Sequence, residues 1–182
     1  MRANVNERLA RYSALLGEIE SGTALAEGGA FELSDQEKLD LRTALNGDIY
    51  LNQRTRRPIL LRLDEMLSDG TAHYDHSLLT IEHVLPQNPN AGSEWLVNFP
   101  DQEVRDRWIH RLANLVLLSK YKNPAASNYD FEYKKNKYFS QDGDSSFVLT
   151  SQVRQEPVWT ANVLETRQKK LVDRMFAVWE LK

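Results

Sequence analysis

Glu82 and His83 stand side by side in the apolar run 78–85. A carboxylate is costly to bury among apolar residues unless it is paired or ligates a metal. An imidazole with an unperturbed pKa of about 6.5 is mostly neutral near pH 7 and can take a proton from water. A single His in a strand is more often a hydrogen-bonded structural residue. The adjacent acid is what makes this one a candidate for chemistry. Neighbours on a strand point to opposite faces, so the two serve one site only where a bulge or the strand end re-aims one of them. Asparagines follow at Asn114, ahead of the apolar run Leu115 to Leu118, at Asn123 after Lys122, and at Asn128 after Ser127. Asn114 can cap a strand end, and Asn128 can cap the start of a helix.

The elements that must position these groups follow from periodicity and punctuation. The run 78–85, bounded by Pro86, reads as a short strand, and Leu115 to Leu118 as a second. Between them lies a loop of about 25 residues, a length typical of functional loops, with Trp95 and Trp108 as its anchors. Residues 120–138 read as a helix with an irregular start at Pro124. Upstream, Val5, Leu9, Tyr12, Leu16 and Ile19 recur at spacings of four and three, the mark of an amphipathic helix. Ser34 and Glu37 form a capping box for a helix through about Leu45. Pro58 suits the first turn of another helix, with Ile59, Leu63 and Met66 inward. A final helix runs from Glu165 to Trp179.

Composition narrows the function classes. The chain has 182 residues, enough for one well-packed domain, with 41% apolar and 27% charged residues. It has no cysteine, which excludes disulfides, thiolate nucleophiles and cysteine-ligated zinc. No apolar run approaches the roughly 20 residues of a membrane span, and the N-terminus lacks signal-peptide order. The chain therefore reads as cytoplasmic. Its net charge is -3, but residues 105–137 hold eight basic against three acidic residues, so that block is +5 and the remainder -8. A basic block in an acidic chain suggests a local anion-binding face, and a solvated helical surface is the plainer alternative.

Taken together, Glu82-His83-Val84-Leu85-Pro86-Gln87, Asn114-Leu115-Val116-Leu117-Leu118 and Lys122-Asn123 resemble the HNH nuclease motif. In that family an acid followed by His ends the first strand of a ββα-metal unit, an Asn opens the second strand, and a His or Asn sits on the next helix. The family more often has Asp first and His third; here Glu82 and Asn123 occupy those places. The likeness extends to His110-Arg111-Leu112-Ala113-Asn114-Leu115, 123–128, Phe131, Lys134-Lys135, Tyr138, Trp159 and the Arg167 helix. These are similar to the C-terminal nuclease domain of GmrSD-type modification-dependent restriction enzymes, over roughly residues 35–180. The fold expected is therefore α+β, a mainly helical domain enclosing a small ββα-metal core at about 78–138. Residues 1–30 would form a linker helix and 31–182 the HNH domain.

The resemblance implies a metal-dependent DNA endonuclease of bacterial restriction and anti-phage defence. His83 would be the general base, oriented by the carbonyl oxygen of Asn114 on its other ring nitrogen. Glu82 would ligate one magnesium (Mg2+) or manganese (Mn2+) ion together with Asn123, with Asn128 competing for that role. Arg111, Lys120, Lys122, Lys134, Lys135 and Lys137 would hold DNA phosphates; Arg111 can equally anchor a buried carboxylate. His73, His76 and His110 are read as non-ligands. The Asp-Gly-Gln-Gln-Arg motif of the family's nucleotide-binding N-terminal half is absent, so the expected partner is such a sensor half or subunit. The competing reading is a catalytically silent HNH-fold module that binds DNA or protein.

Overall fold

The computed structural model describes residues 4–23, 28–68, 79–119, 128–137, 147–179 and 181, apart from the side chains of Ser119 and Lys137. The two apolar runs form β1 (Leu79–His83) and β2 (Leu115–Ser119), an antiparallel pair with Glu82 opposite Val116 and His83 opposite Leu115. Residues 115–118 are all buried, so β2 is covered on both faces. This explains why it reads as a continuous aliphatic run and not as an alternating one.

Helices make up most of the rest, and the fold is a mainly helical α+β domain, as expected. Before β1 come α1 (Val5–Ser21), α2 (Asp35–Leu45) and α3 (Arg56–Leu67). The segment between the strands is not one loop. It holds α4 (Glu94–Asn98) and α5 (Gln102–Ile109), the latter opened by Asp101, whose side chain accepts from the Glu103 amide at 2.8 Å. Trp95 and Trp108 are buried there, as anchors should be. After β2 come α6 (Phe131–Lys137), α7 (Val148–Gln155) and α8 (Ala161–Val178). The last starts four residues earlier than expected because the Thr160 side chain caps it, accepting from Val163.

The chain divides into two compact units, Met1–Thr43 and Ala44–Glu180. In the first, α1 has a complete capping box between Asn4 and Glu7, and it ends at Gly22, whose φ of 74° favours glycine. No residue of α1 is buried, and its apolar stripe is exposed along its whole length. In the second unit, Val84, Leu85, Trp95, Phe99, Val116, Phe131, Val153, Trp159 and Leu164 share one core. On α3 it is Leu60, Leu63 and Met66 that are buried, while Ile59 is half-buried. The buried carboxylate of Asp64 accepts from the Leu149 amide at 2.7 Å, so α3 caps the first turn of α7.

Two side chains of α8 hold the turn that feeds β2. Gln168 accepts from the Ala113 amide at 2.9 Å and donates to the Leu45 carbonyl at 2.9 Å. Arg167 donates through Nε to the Ala113 carbonyl at 3.2 Å and through its other nitrogens to Gln152 and the Leu149 carbonyl. Burial pulls its pKa down to about 10. Among the described residues, no helix is long and apolar enough to cross a membrane.

Candidate active site

His83 is the last residue of β1, and there the strand ends. Val84 still donates to the Asn114 carbonyl at 2.9 Å, and then the chain turns away through Leu85 and Pro86. That ending lets the adjacent Glu82 and His83 line one cavity despite the strand's alternation. The cavity encloses about 240 Å³ and is lined by Glu82, His83, Pro86, Gln87, Asn88 and Asn128. Asn123, Lys120, Lys122, His73 and His76 lie outside the described residues, so the structure bears only on Asn128 of the two competing asparagines.

The His83 ring sits among other rings. Tyr50 meets it edge-on at 4.1 Å between centroids, and His110 does so at 5.5 Å. Tyr50 stacks on His110 at 5.5 Å and is covered by the Arg56 guanidinium, 4.5 Å from its centroid. The Tyr50 amide donates to the His110 carbonyl at 3.0 Å, which ties this wall together. Burial first, then the nearby His110, Lys134 and Arg56, push the His83 pKa down to about 3. The ring is therefore neutral at physiological pH. Its Nδ1 lies 3.4 Å from Gln87 Nε2, and its Nε2 is buried with no hydrogen-bond partner among the described residues.

Asn114 does not orient His83, which corrects the expected pairing. The side chain is wholly buried, and its amide is used elsewhere. Oδ1 accepts from Leu85 N at 2.7 Å and Trp159 Nε1 at 3.2 Å; Nδ2 donates to the carbonyls of Leu85 at 2.9 Å and Ile109 at 3.0 Å. Asn114 thus pins the chain just after His83 and sets where the strand stops. The residue nearest to an orienting partner for the imidazole is Gln87, the last residue of the quoted Glu-His-Val-Leu-Pro-Gln run.

Lys134 also departs from expectation. It was expected to face DNA, yet its side chain is fully buried. Its ammonium donates to Glu82 Oε1 at 3.1 Å and to the carbonyls of His83 at 2.8 Å and Val84 at 3.1 Å. Those three acceptors use all three of its N–H groups. Burial pushes the Glu82 carboxyl up and the Lys134 ammonium down, while each partner's charge opposes that shift in the other. Lys135 is turned inward as well, donating to the Glu156 carbonyl at 2.9 Å and lying 3.5 Å from Glu132. Arg111 is half-buried over Trp108, its guanidinium 5.1 Å from the ring centroid, with no described hydrogen-bond partner at Nε. It does not line the cavity.

Among the described residues, no group of three or more His, Cys, Asp or Glu side chains could hold a metal ion. The cavity's donors are one carboxylate, one imidazole and the amides of Gln87, Asn88 and Asn128. That oxygen-rich set fits a hard divalent ion that keeps much of its water, and it does not fit zinc. Glu82 Oε1 is held by Lys134.

Tyr50, Arg56 and His110 were not anticipated in this wall. His110 lay within the stretch of likeness but lacked a partner at ligand spacing. Tyr50 sits far upstream, and nothing local marks it.

The acid–imidazole pair thus sits on an open, polar cavity at a strand end of an α+β fold. The C-terminal domain of the GmrSD restriction endonucleases matches residues 34–174. That stretch spans most of the chain and contains every element of the cavity, and the chain belongs to that family. It is a restriction-endonuclease domain. A search of curated proteins gives no match.

Proposed function

We propose that this domain hydrolyses DNA phosphodiesters at an HNH-type, metal-dependent site with His83 as general base. The supporting observation is the cavity shared by Glu82, His83 and Asn128, in which Nε2 of a neutral, buried imidazole has no hydrogen-bond partner among the described residues. A base must be unprotonated and must be fixed. The first requirement is met by burial, and the second by the Tyr50–His110 wall. Rotating the Gln87 amide by half a turn presents its oxygen to Nδ1. Nδ1 then donates, and Nε2 carries the lone pair; that atom is buried, so a water reaches it only when the surrounding wall yields.

Glu82 and Asn128, with Asn123 as the competing donor, would hold Mg2+ or Mn2+. Such an ion supplies Lewis-acid polarisation of the phosphate and stabilises the leaving 3′ oxygen. Lys134 keeps Glu82 in place and its charge balanced. Arg111 is the described residue left to meet a flanking phosphate, with Lys120, Lys122 and Lys137 as further candidates. A nucleotide-binding sensor half or subunit would be its partner in a defence system of the bacterial cytoplasm.

The test is plasmid nicking in magnesium, with and without chelator. The wild type should nick only with the metal. His83→Ala should abolish nicking while its melting curve and DNA affinity stay near wild type. Nicking by His83→Ala at the wild-type rate would sink the mechanism. Metal-independent DNA binding without any cleavage would favour the silent module.

A further inference from the structure

A second cavity, separate from the one at the strand end, encloses about 660 Å³ between the end of α3, the last turns of α7 and one face of α8. That volume lies in the range of small-molecule sites. Three of its lining side chains are cations of α8, Arg167, Lys170 and Arg174. They recur at spacings of three and four and therefore share one helix face. Going beyond the nuclease reading and independently of it, we propose that this cavity binds a small phosphate monoester with a hydroxylated body.

Charge selects the anion. The described lining holds three cations against one acid, Glu156, a balance of +2. Lys170 and Arg174, one turn apart, repel each other. The nearby Asp173 is held by Lys169 at 2.5 Å. Arg167 is only 8% exposed, yet its described hydrogen bonds all go to neutral acceptors, the carbonyls of Ala113 and Leu149 and the amide oxygen of Gln152. Glu156 and Asp64 act on it at longer range. A guanidinium has five N–H groups, so two remain on its Nη nitrogens. A phosphate monoester near neutral pH brings about two negative charges and three acceptor oxygens, which meets that balance. Each backbone phosphate of DNA brings one charge.

The rest of the wall selects the body. Gln152, Gln155, Asn162 and Thr166 carry amide and hydroxyl groups that both donate and accept. Sugar hydroxyls do the same. Leu67, Val163 and Leu171 offer apolar surface to the carbon faces of such a body. No aromatic ring is among the described lining residues, so a base has nothing to stack on. The cations are also held in place. Arg167 is fixed by its three bonds, and Arg174 donates to the Met66 carbonyl at 3.2 Å, which ties α8 to the end of α3. Groups fixed beforehand lose little freedom when a ligand enters.

The experiment is isothermal titration calorimetry of the full chain in chelator. The probes are ribose 5-phosphate and adenosine monophosphate, with ribose and adenosine as their uncharged counterparts. Wild type should bind the phosphorylated probes at least about ten-fold more tightly than the counterparts. Ribose 5-phosphate should bind as tightly as the nucleotide; a tighter nucleotide would keep the phosphate site and make its source a nucleoside. Lys170→Gln/Arg174→Gln changes two exposed side chains and should weaken both phosphorylated probes by about ten-fold or more, with the melting temperature near wild type. His83→Ala, in the other cavity, should bind them as wild type does. Equal binding of charged and uncharged probes overturns the proposal, as does unchanged affinity in the double variant. Loss of binding in His83→Ala overturns it too, because the probe would then sit at the strand end. A 5′-phosphorylated oligonucleotide that binds where neither small probe does overturns the small ligand and assigns the cavity to a DNA end. None of these readouts needs cleavage, so the nuclease reading stands or falls separately.

Discussion

Asn114 shows how one amide can shape a site that it does not touch. Its oxygen and nitrogen hold Leu85 from both sides, and Trp159 and Ile109 complete the set. Asn114→Ala removes all four contacts inside the core. The Leu85 amide and the Trp159 indole are left without acceptors, at about 1–3 kcal/mol each. A loss of roughly 3 kcal/mol in unfolding free energy is expected from urea titration, and a change below about 1 kcal/mol would contradict the assignment. His83 makes a prediction of opposite character. Its pKa falls from 6.5 in the unfolded chain to about 3 when buried. Below about pH 6.5 the unfolded chain binds a proton that the folded one refuses, so stability is full above that value. It is then lost as pH falls toward 3, at up to about 1.4 kcal/mol per pH unit. Denaturation midpoints measured in chelator between pH 7 and pH 4 should decline, and His83→Gln should flatten the decline. Parallel profiles for the two proteins would show that the ring is not desolvated.

At the scale of elements, α6 binds to the end of β1 through one buried charge pair. Removing one partner of such a pair typically costs about 3–5 kcal/mol, because the other charge is stranded. Lys134→Met should therefore destabilise strongly, and Glu82→Gln added to it should restore part of the loss. A double-mutant cycle without coupling would mean that the pair is not formed. The strands, the α2 capping box and both Trp anchors were legible because each is written locally, in aliphatic runs, a Ser-Glu spacing or bulky rings between turn residues. The Ser34–Glu37 box forms as read, with the Ser34 amide 2.8 Å from the Glu37 carboxylate. Lys134 was misread because its face is chosen by Glu82, 52 residues away; lysine spacing cannot announce that choice. The helices between the strands were missed for a smaller reason, since Asp101 is an N-cap within a stretch that its prolines mark as loop.

Over the whole molecule, charge turns out to be partly internal. Of the basic block, Lys134 is buried in an ion pair, Lys135 is turned toward Glu156, and Arg105 donates to the carbonyls of Phe99 and Pro100. Arg107 stays exposed and Arg111 half-exposed. A sequence-wide count of +5 therefore overstates the field that the described surface presents to DNA. The apolar stripe of α1 is the converse case, legible as a helix face but exposed along its length. The buried ammonium also gives the protein a built-in chemical clock. An amine-acylating reagent requires a lysine with a free lone pair and room to approach. Lys169, with 80% of its side chain exposed, gives the reagent room to approach and should be modified at once. Lys134 offers neither until α6 lifts from the end of β1, so its acylation, followed by mass spectrometry of digests, should lag by orders of magnitude. Its rate should rise in step with Asn114→Ala, because loosening the strand end opens the same door. Equal modification of the two lysines in native protein would mean that Lys134 is not sealed in the core.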